Sequence, residues 1–248
     1  LEAGLSSYVS RWGWMETPGS ITNLIAVTTF TPSFKTYRGL DNFFYNHQNA
    51  NVWRASLAYV TGAHSAKFGY QGAYHIEDID DRGNQDGLVY TFIVPAINLY
   101  SLTMRIAPWQ ISNRTGYHSF YGQDQWTLGR LTLQGAVRYD HPWSWFSEQT
   151  ESPTRFFPAA TFEKTDGVTG YHDITPRWGV VWDVFGTGRT SIKWNMGRYL
   201  SGAAIAGIYA DANPGARTVN EYERLWTDTN GNRRPDCDLL NYAPNGEC

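Results

Sequence analysis

Apolar and polar side chains alternate in repeated segments of this chain, each about ten residues long, and turn-rich stretches separate the segments. A β-strand turns successive side chains to opposite faces, so sustained alternation means one face in an apolar medium and the other against water. In 131–140, Leu131, Leu133, Val137 and Tyr139 alternate with Thr132, Gln134, Arg138 and Asp140, and in 66–75 Phe68, Tyr70 and Tyr74 alternate with Lys67, Gln71 and His75. In 173–184, Ile174, Trp178, Val180 and Trp182 oppose Asp173, Thr175, Arg177 and Asp183. Segment 191–197 sets Ile192, Trp194 and Met196 against Ser191, Lys193 and Asn195, and 53–59 sets Trp53, Ala55, Leu57 and Tyr59 against Arg54, Ser56 and Ala58. Segments 1–10 and 114–127 are less regular, and 88–95 and 100–107 least of all.

The links between segments are of two kinds. Thr61-Gly62-Ala63-His64-Ser65, Leu128-Gly129-Arg130 and Phe185-Gly186-Thr187-Gly188-Arg189 have the composition of tight hairpins. The stretches 15–50, 77–87, 142–171 and 200–248 are long, polar and rich in Gly, Asn, Asp and Pro. Bacterial outer-membrane barrels have short periplasmic turns and long outer loops, so direction can be assigned strand by strand. Strands expected at 1–14, 52–61, 66–76, 88–95, 100–107, 114–127, 131–141, 173–185 and 189–199 put every tight link on one side. The expected fold is therefore all-β, an antiparallel transmembrane β-barrel segment of about nine strands with long extracellular loops. Single-chain bacterial barrels have an even number of strands, so nine reads as an incomplete barrel.

The composition agrees. Aromatic residues make up 16% of the chain, with 11 Trp and 16 Tyr, against 17% charged residues. A net charge of −3 and the absence of a basic stripe exclude a nucleic-acid binder. The mean hydropathy of −0.45 has no bearing on a barrel, whose alternate residues meet water. Soluble sandwiches and propellers also alternate, with one face in a core. Here Arg54, Lys67, Arg138, Arg177 and Lys193 stand opposite the apolar face, which suits a hydrated lumen better than a packed second layer. The expected lumen-facing set is Arg54, Lys67, Gln71, Gln134, Arg138, Asp140, Arg177, Asp183 and Lys193. The expected lipid-facing set is Trp53, Leu57, Tyr59, Phe68, Tyr70, Leu131, Leu133, Val137, Trp178, Val180, Trp182, Ile192 and Trp194. Trp12, Trp14, Trp143 and Trp145 fall where strands emerge outward and Trp126 beside an inner turn, as girdle residues would.

No His-Glu-x-x-His, Gly-x-Ser-x-Gly or Walker loop is present, and the six His are scattered without ligand spacing, so an enzyme is not expected. Gly186-Thr187-Gly188 reads as a hairpin turn rather than a phosphate loop. The Asn113-Arg114-Thr115 sequon is discounted in a bacterial barrel. Cys237 and Cys248 are close enough for one local disulfide, which implies an oxidising compartment. Asp228, Asn230, Asn232, Asp236 and Asp238 space oxygen atoms as a calcium loop begins, yet glycine is not at the sixth position and Leu239 stands where the bidentate Glu belongs. An Asn/Gly turn pinned by the disulfide is the competing reading. No cofactor is expected beyond that structural calcium.

The run Tyr121-Gly122-Gln123-Asp124-Gln125-Trp126-Thr127-Leu128-Gly129-Arg130-Leu131-Thr132-Leu133-Gln134-Gly135-Ala136-Val137-Arg138-Tyr139-Asp140 resembles a hairpin of TonB-dependent receptors. Asp173-Ile174-Thr175-Pro176-Arg177-Trp178-Gly179, Val184-Phe185-Gly186-Thr187-Gly188-Arg189-Thr190, and Thr61-Gly62-Ala63-His64 with Phe68-Gly69-Tyr70-Gln71 are similar to further hairpins of that family. The likeness is greatest to its Oar-like members, which carry a carboxypeptidase-regulatory-type N-terminal domain. The resemblance implies a 22-stranded barrel around a plug, in the outer membrane of a Gram-negative bacterium, taking up an unidentified ligand when TonB pulls on an N-terminal motif. Outer-membrane lipid, the TonB complex and that extracellular ligand are the implied partners. Neither plug nor TonB box nor closing strand is recognisable, so the chain is expected to be barrel wall and loops over 1–199, an extracellular loop segment over 200–248, and to depend for TonB contact on parts outside it. Two alternatives stay open: a secreted β-rich module stacking carbohydrate on its aromatic residues, and a porin or adhesion barrel without a plug.

Overall fold

A computed structural model describes residues 1–30, 35–84, 87–94 and 98–248. Its strands, in chain order, are β1 (Glu2–Trp14), β2 (Ala26–Thr29), β3 (Lys35–Arg38), β4 (Asn42–Thr61), β5 (His64–Gly83), β6 (Leu88–Val94), β7 (Leu99–Arg105) and β8 (Trp109–Leu128). They continue as β9 (Leu131–Phe146), β10 (Gln149–Glu151), β11 (Ala160–Phe162), β12 (Thr165–Asp166), β13 (Asp173–Asp183), β14 (Ser191–Gly197) and β15 (Glu221–Thr227). One short 3₁₀ turn, Gly207–Tyr209, is the helical element among the described residues. Among the described residues no helix is long and apolar enough to cross a membrane, which says nothing about crossing by strands.

The main sheet is a wall of antiparallel staves in the order β1-β4-β5-β8-β9-β13-β14, with β12 paired beside β9. β4, β5 and β8 are 20 residues long, about twice the 9–11 residues with which a strand crosses a bilayer. At the other end sit the three tight links. Thr61 pairs with His64 and Leu128 with Leu131, leaving two-residue loops whose first residues, Gly62 at φ +52° and Gly129 at φ +57°, occupy the left-handed region that glycine enters without steric cost. The third link is held by Asp183, whose carboxylate accepts the backbone N–H groups of Gly186 at 3.1 Å and Gly188 at 2.9 Å.

The expectation of nine staves is corrected to seven. Segments 88–95 and 100–107 fold as β6 and β7 outside the wall, and β5 pairs directly with β8; residue 95 lies outside the described residues. The assigned directions survive, because removing an adjacent in–out pair leaves the alternation intact. The segments 15–50, 77–87 and 142–171, expected as loops, supply the outer ends of β4, β5 and β9 and several cap strands.

β6 and β7 belong to a second sheet, ordered β15-β7-β6-β2-β3, in which β2 and β6 run parallel and the other pairs antiparallel. Its strands come from two links of the wall and from the segment after its last stave: β2 and β3 from between β1 and β4, β6 and β7 from between β5 and β8, and β15 from beyond β14. Together they form a cap around the chain's main apolar core, in which Leu88, Tyr90, Tyr100, Leu102, Met104 and Trp226 are buried and Ile25, Val27, Phe92, Phe156 and Leu239 pack on them. Asn84 fastens the cap to the wall: its side-chain amide donates to the carbonyls of Leu88 and Leu40, and its oxygen accepts the N–H of Leu88. Arg105 adds ion pairs to Asp41 at 3.0 Å and Glu221 at 2.7 Å.

Candidate functional site

Directly paired residues of neighbouring strands share a face of the sheet, so the register sorts the wall's side chains. Leu57, Phe68, Gly122, Val137 and Pro176 lie in one row across β4, β5, β8, β9 and β13, and Arg54, Gln71, Ser119, Asp140 and Asp173 in another of opposite parity. Carried along each stave, that parity puts Trp53, Leu57, Tyr59, Phe68, Tyr70, Leu131, Leu133, Val137, Trp178, Val180, Trp182, Ile192 and Trp194 on one face. Arg54, Lys67, Gln71, Gln134, Arg138, Asp140, Arg177, Asp183 and Lys193 share the other. The apolar face is bare: Leu57, Phe68, Val137, Ile192 and Trp194 are all more than half exposed, at 52–57%. A surface of that size and polarity is tolerated against lipid, not against water.

Glycines on the staves make room for the aromatic rings of that face. A Cβ on Gly72 would stand 2.4 Å from the Trp53 ring and one on Gly116 2.2 Å from the Trp143 ring, so each indole lies flat on a bare stretch of the adjacent strand. Trp178 and Trp194 pack edge to face at 4.1 Å. Trp143 and Trp145 are on the apolar face at its outer end and Trp126 is near the tight-link end, whereas Trp12 and Trp14 pair with Asn46 and Phe44 and fall on the polar face. Both Trp12 and Trp14 pack against Phe44 there, so their place in the outward girdle is withdrawn.

The polar face carries a depression of about 320 Å³ lined by Arg54, Lys67, Gln71, Arg138 and Arg177. Arg138 is half enclosed; its Nε donates to Asp140 at 2.9 Å and its Nη2 to the hydroxyl of Tyr117, which in turn donates to Asp140. Lys67 meets Glu2 at 3.3 Å, an exposed pair of little energetic weight. Arg177 stacks on Tyr199 at 4.3 Å, and Gln134 donates to Gln125 at 3.0 Å. Asp183 is turned into the tight link as described, so its oxygens serve the backbone there.

Toward the outer end, a network that the sequence did not disclose crosses the polar face. Glu77, buried, accepts the side-chain amides of Asn46 at 3.0 Å, Gln48 at 2.7 Å and Asn113 at 3.0 Å. Asn213, fully buried, extends it: its amide donates to Asn113 Oδ1 at 2.8 Å and its oxygen accepts from Gln149 and the N–H of Gly215. The segment after β14 is thereby folded back onto the polar face, and Thr115 donates to the carbonyl of Ala204 in the same contact.

In the tail, Cys237 and Cys248 are joined by a disulfide, and Arg224 donates to the carbonyls of Asn241, Ala243 and Cys248. The Asp228–Asp238 loop closes on its own hydrogen bonds. Asp228 accepts the N–H groups of Gly231 and Arg233, Asn230 and Asn232 accept those of Asn232 and Arg234, Asp238 accepts that of Leu240, and Asp236 Oδ2 accepts from both amide side chains. Among the described residues, no group of three or more His, Cys, Asp or Glu is placed to hold a metal ion. Glu247 accepts from the N–H and hydroxyl of Thr229, and these hydrogen bonds hold its carboxyl below the usual range.

A sheet of long antiparallel staves with one bare apolar face, one polar face, tight links at one end and a folded cap at the other defines the wall of a transmembrane β-barrel. A family model described as TonB dependent receptor-like, beta-barrel matches residues 6–233, and the chain belongs to that family. No curated protein and no solved structure matches it. Its members are outer-membrane transport receptors of Gram-negative bacteria and not enzymes; they work with TonB and take up a ligand. The chain is a stretch of that barrel, and the barrel is not closed by these staves.

Proposed function

We propose that the chain forms the wall and outer cap of an Oar-like TonB-dependent transporter, whose carboxypeptidase-regulatory-type domain and plug would be supplied by other parts of the same protein. In this reading the apolar set from Trp53 to Trp194 meets lipid, and the polar set from Arg54 to Lys193 lines the lumen. Residues 1–199 supply the wall with its links, and 200–248 lie outside the cell as a disulfide-bonded segment that closes the cap. The carrying observation is the division of faces by register, with all three tight links at the end opposite the cap. For the Asp228–Asp238 loop we propose a turn sustained by its own hydrogen bonds, so chelation is expected to leave it unchanged.

Cysteine accessibility in cells expressing the full-length protein tests this. A cysteine replacing Leu225 in the cap should react with a membrane-impermeant maleimide added outside, one replacing Ala63 should react only after the outer membrane is opened, and one replacing Phe68 or Val137 should resist the reagent in both cases. Ready labelling at Phe68 and Val137 in intact cells would sink the reading. The Oar-like assignment has its own check, since the preceding coding sequence should encode a carboxypeptidase-regulatory-type domain followed by a plug.

A further inference from the structure

Three of the six histidines, dispersed along the sequence, form one transverse row on the apolar face. His118 of β8 pairs directly with His141 of β9, and His172 immediately precedes Asp173, which pairs with Asp140. The His141 and His172 rings are stacked 4.2 Å apart and within 6° of parallel, and His118 and His141 both pack against Trp143. Each ring is held through Nδ1: His118 by the hydroxyl of Tyr70, His172 by that of Tyr139, and His141 by the backbone carbonyl of Tyr171, all at 2.7 Å. A carbonyl only accepts, so Nδ1 of His141 carries the proton of its hydrogen bond. Nε2 of all three rings makes no hydrogen bond among the described residues.

The height of the row gives it meaning. His118 lies eight residues up β8 from Trp126, near the tight links; at about 3.4 Å per residue and a tilt of about 40° that is a vertical rise of about 21 Å. The row of Trp143, one step higher, lies at about 26 Å by the same measure, and the apolar band of such barrels is about 25 Å tall. The imidazoles therefore stand at the upper margin of the band, where acyl chains give way to headgroups. A row of polar nitrogens facing lipid at that depth is costly unless something polar reaches them.

We propose that His118, His141 and His172 form a binding site for the phosphate-bearing headgroup of an outer-leaflet lipid. The Nε2–H groups of His118 and His172, whose Nδ1 atoms can accept the hydroxyls of Tyr70 and Tyr139, are its donors to phosphate oxygens, His141 stacks on His172 and holds the row in line, and Trp143 and Trp145 flank the sugar or glycerol above. The occupant follows from continuity with the lipid-facing belt, whose edge the row extends, and from the match of imidazole donors to an anion in a setting of low dielectric. The proposal rests on the assignment of this face to lipid.

The test uses the full-length receptor in nanodiscs, made either of phosphatidylglycerol or of the phosphate-free digalactosyldiacylglycerol, followed by controlled delipidation and native mass spectrometry. Wild-type protein is expected to retain phosphatidylglycerol at least fivefold better than the triple variant His118→Gln, His141→Gln, His172→Gln, and to show no such preference for the galactolipid. His141→Arg with His172→Arg should keep the retention, because N–H donors to phosphate remain at the row. Far-UV circular dichroism and heat-modifiable mobility identify any variant that has not folded. Equal retention by wild type and a folded triple variant overturns the proposal, as does retention of the galactolipid to the same degree. Should the face itself be misassigned, a cysteine at Val137 would label from water; should only the site be wrong, that cysteine stays protected while retention is unchanged.

Discussion

Trp226 lies against Tyr100 with ring centroids 4.8 Å apart and both rings buried, although Trp226 comes from the segment beyond β14 and Tyr100 from the link between β5 and β8. This contact joins two of the three segments that build the cap. Truncation of Trp226 to Ala should cost about 3–5 kcal/mol, the range for large buried aromatics. The loss should be confined to the cap, so hydrogen exchange would accelerate in β6, β7 and β15 and leave β5 and β8 unchanged. Trp226→Phe should be markedly milder, because the buried indole N–H makes no hydrogen bond that the change could break.

The rings lying over glycines make a reciprocal prediction. Gly116→Val would drive a side chain into the Trp143 indole and should destabilise the refolded full-length barrel by about 1–3 kcal/mol in urea titrations. Trp143→Ala should recover part of that loss in the double variant. Strict additivity of the two would show that the ring does not rest on the glycine.

On β9, Val137 and Ala136 are neighbours in sequence and on opposite faces. If the apolar face meets lipid as proposed, Val137→Arg is expected to cost about 2–4 kcal/mol, the range for a cation near the middle of such a face. Arg at 136, beside the cationic depression, should fold normally and alter only what the lumen admits. Equal penalties at both positions would argue against a division of faces.

Two carboxylates outside the membrane respond to pH with opposite signs. Burial, reinforced by the negative charge of Asp80, pushes the Glu151 carboxyl above its ordinary 4.5. Its protonated form is the one the fold favours, so the local structure around β10 is firmest in acid and weakens as pH rises from the ordinary carboxylate value through the raised one. Glu151→Gln, which can still accept the N–H of Gln110, should remove that loss at neutral pH. Glu247 behaves the other way: its depressed value gives the tail loop support that is present above the usual carboxylate range and lost as pH falls through the lowered value. Amide exchange at Gln110 and Thr229, followed from pH 4 to 8, reads both.

Loss of the Cys237–Cys248 bridge should release the tail. A loop of this length contributes about 3 kcal/mol through restriction of the unfolded chain. Cys237→Ser with Cys248→Ser, or reduction, should therefore loosen the loop and speed tryptic cleavage at Arg233, whose side chain is already exposed, without altering the wall.

Alternation revealed the lower parts of the staves because two different solvents act on their two faces; Leu131 to Asp140 is legible for that reason alone. It fails where both faces see the same environment. In β7 five consecutive residues from Tyr100 to Met104 are buried, so no period of two survives, and the segment reads as a weak wall strand. The stretch of β4 from Asn46 to Asn51 is almost wholly polar on both faces and reads as loop. Trp12 and Trp14 needed the register with β4 before their face could be known. The histidine row was open to inference: His118 and His141 stand equally far along the chain from the Gly129 link, and a tight hairpin pairs such positions. The Glu77 and Asn213 network was not, since it joins segments whose proximity only the closed cap creates.

The parallel pairing of β2 with β6 has a consequence for descent. One sheet drawn from three separate segments cannot change one segment at a time, because a residue gained or lost in β6 shifts its match to both β2 and β7. A change in any one of these segments is therefore tolerated only with matching changes in the others, which makes the cap a single cassette mounted on a socket of staves that run on past the length a bilayer requires.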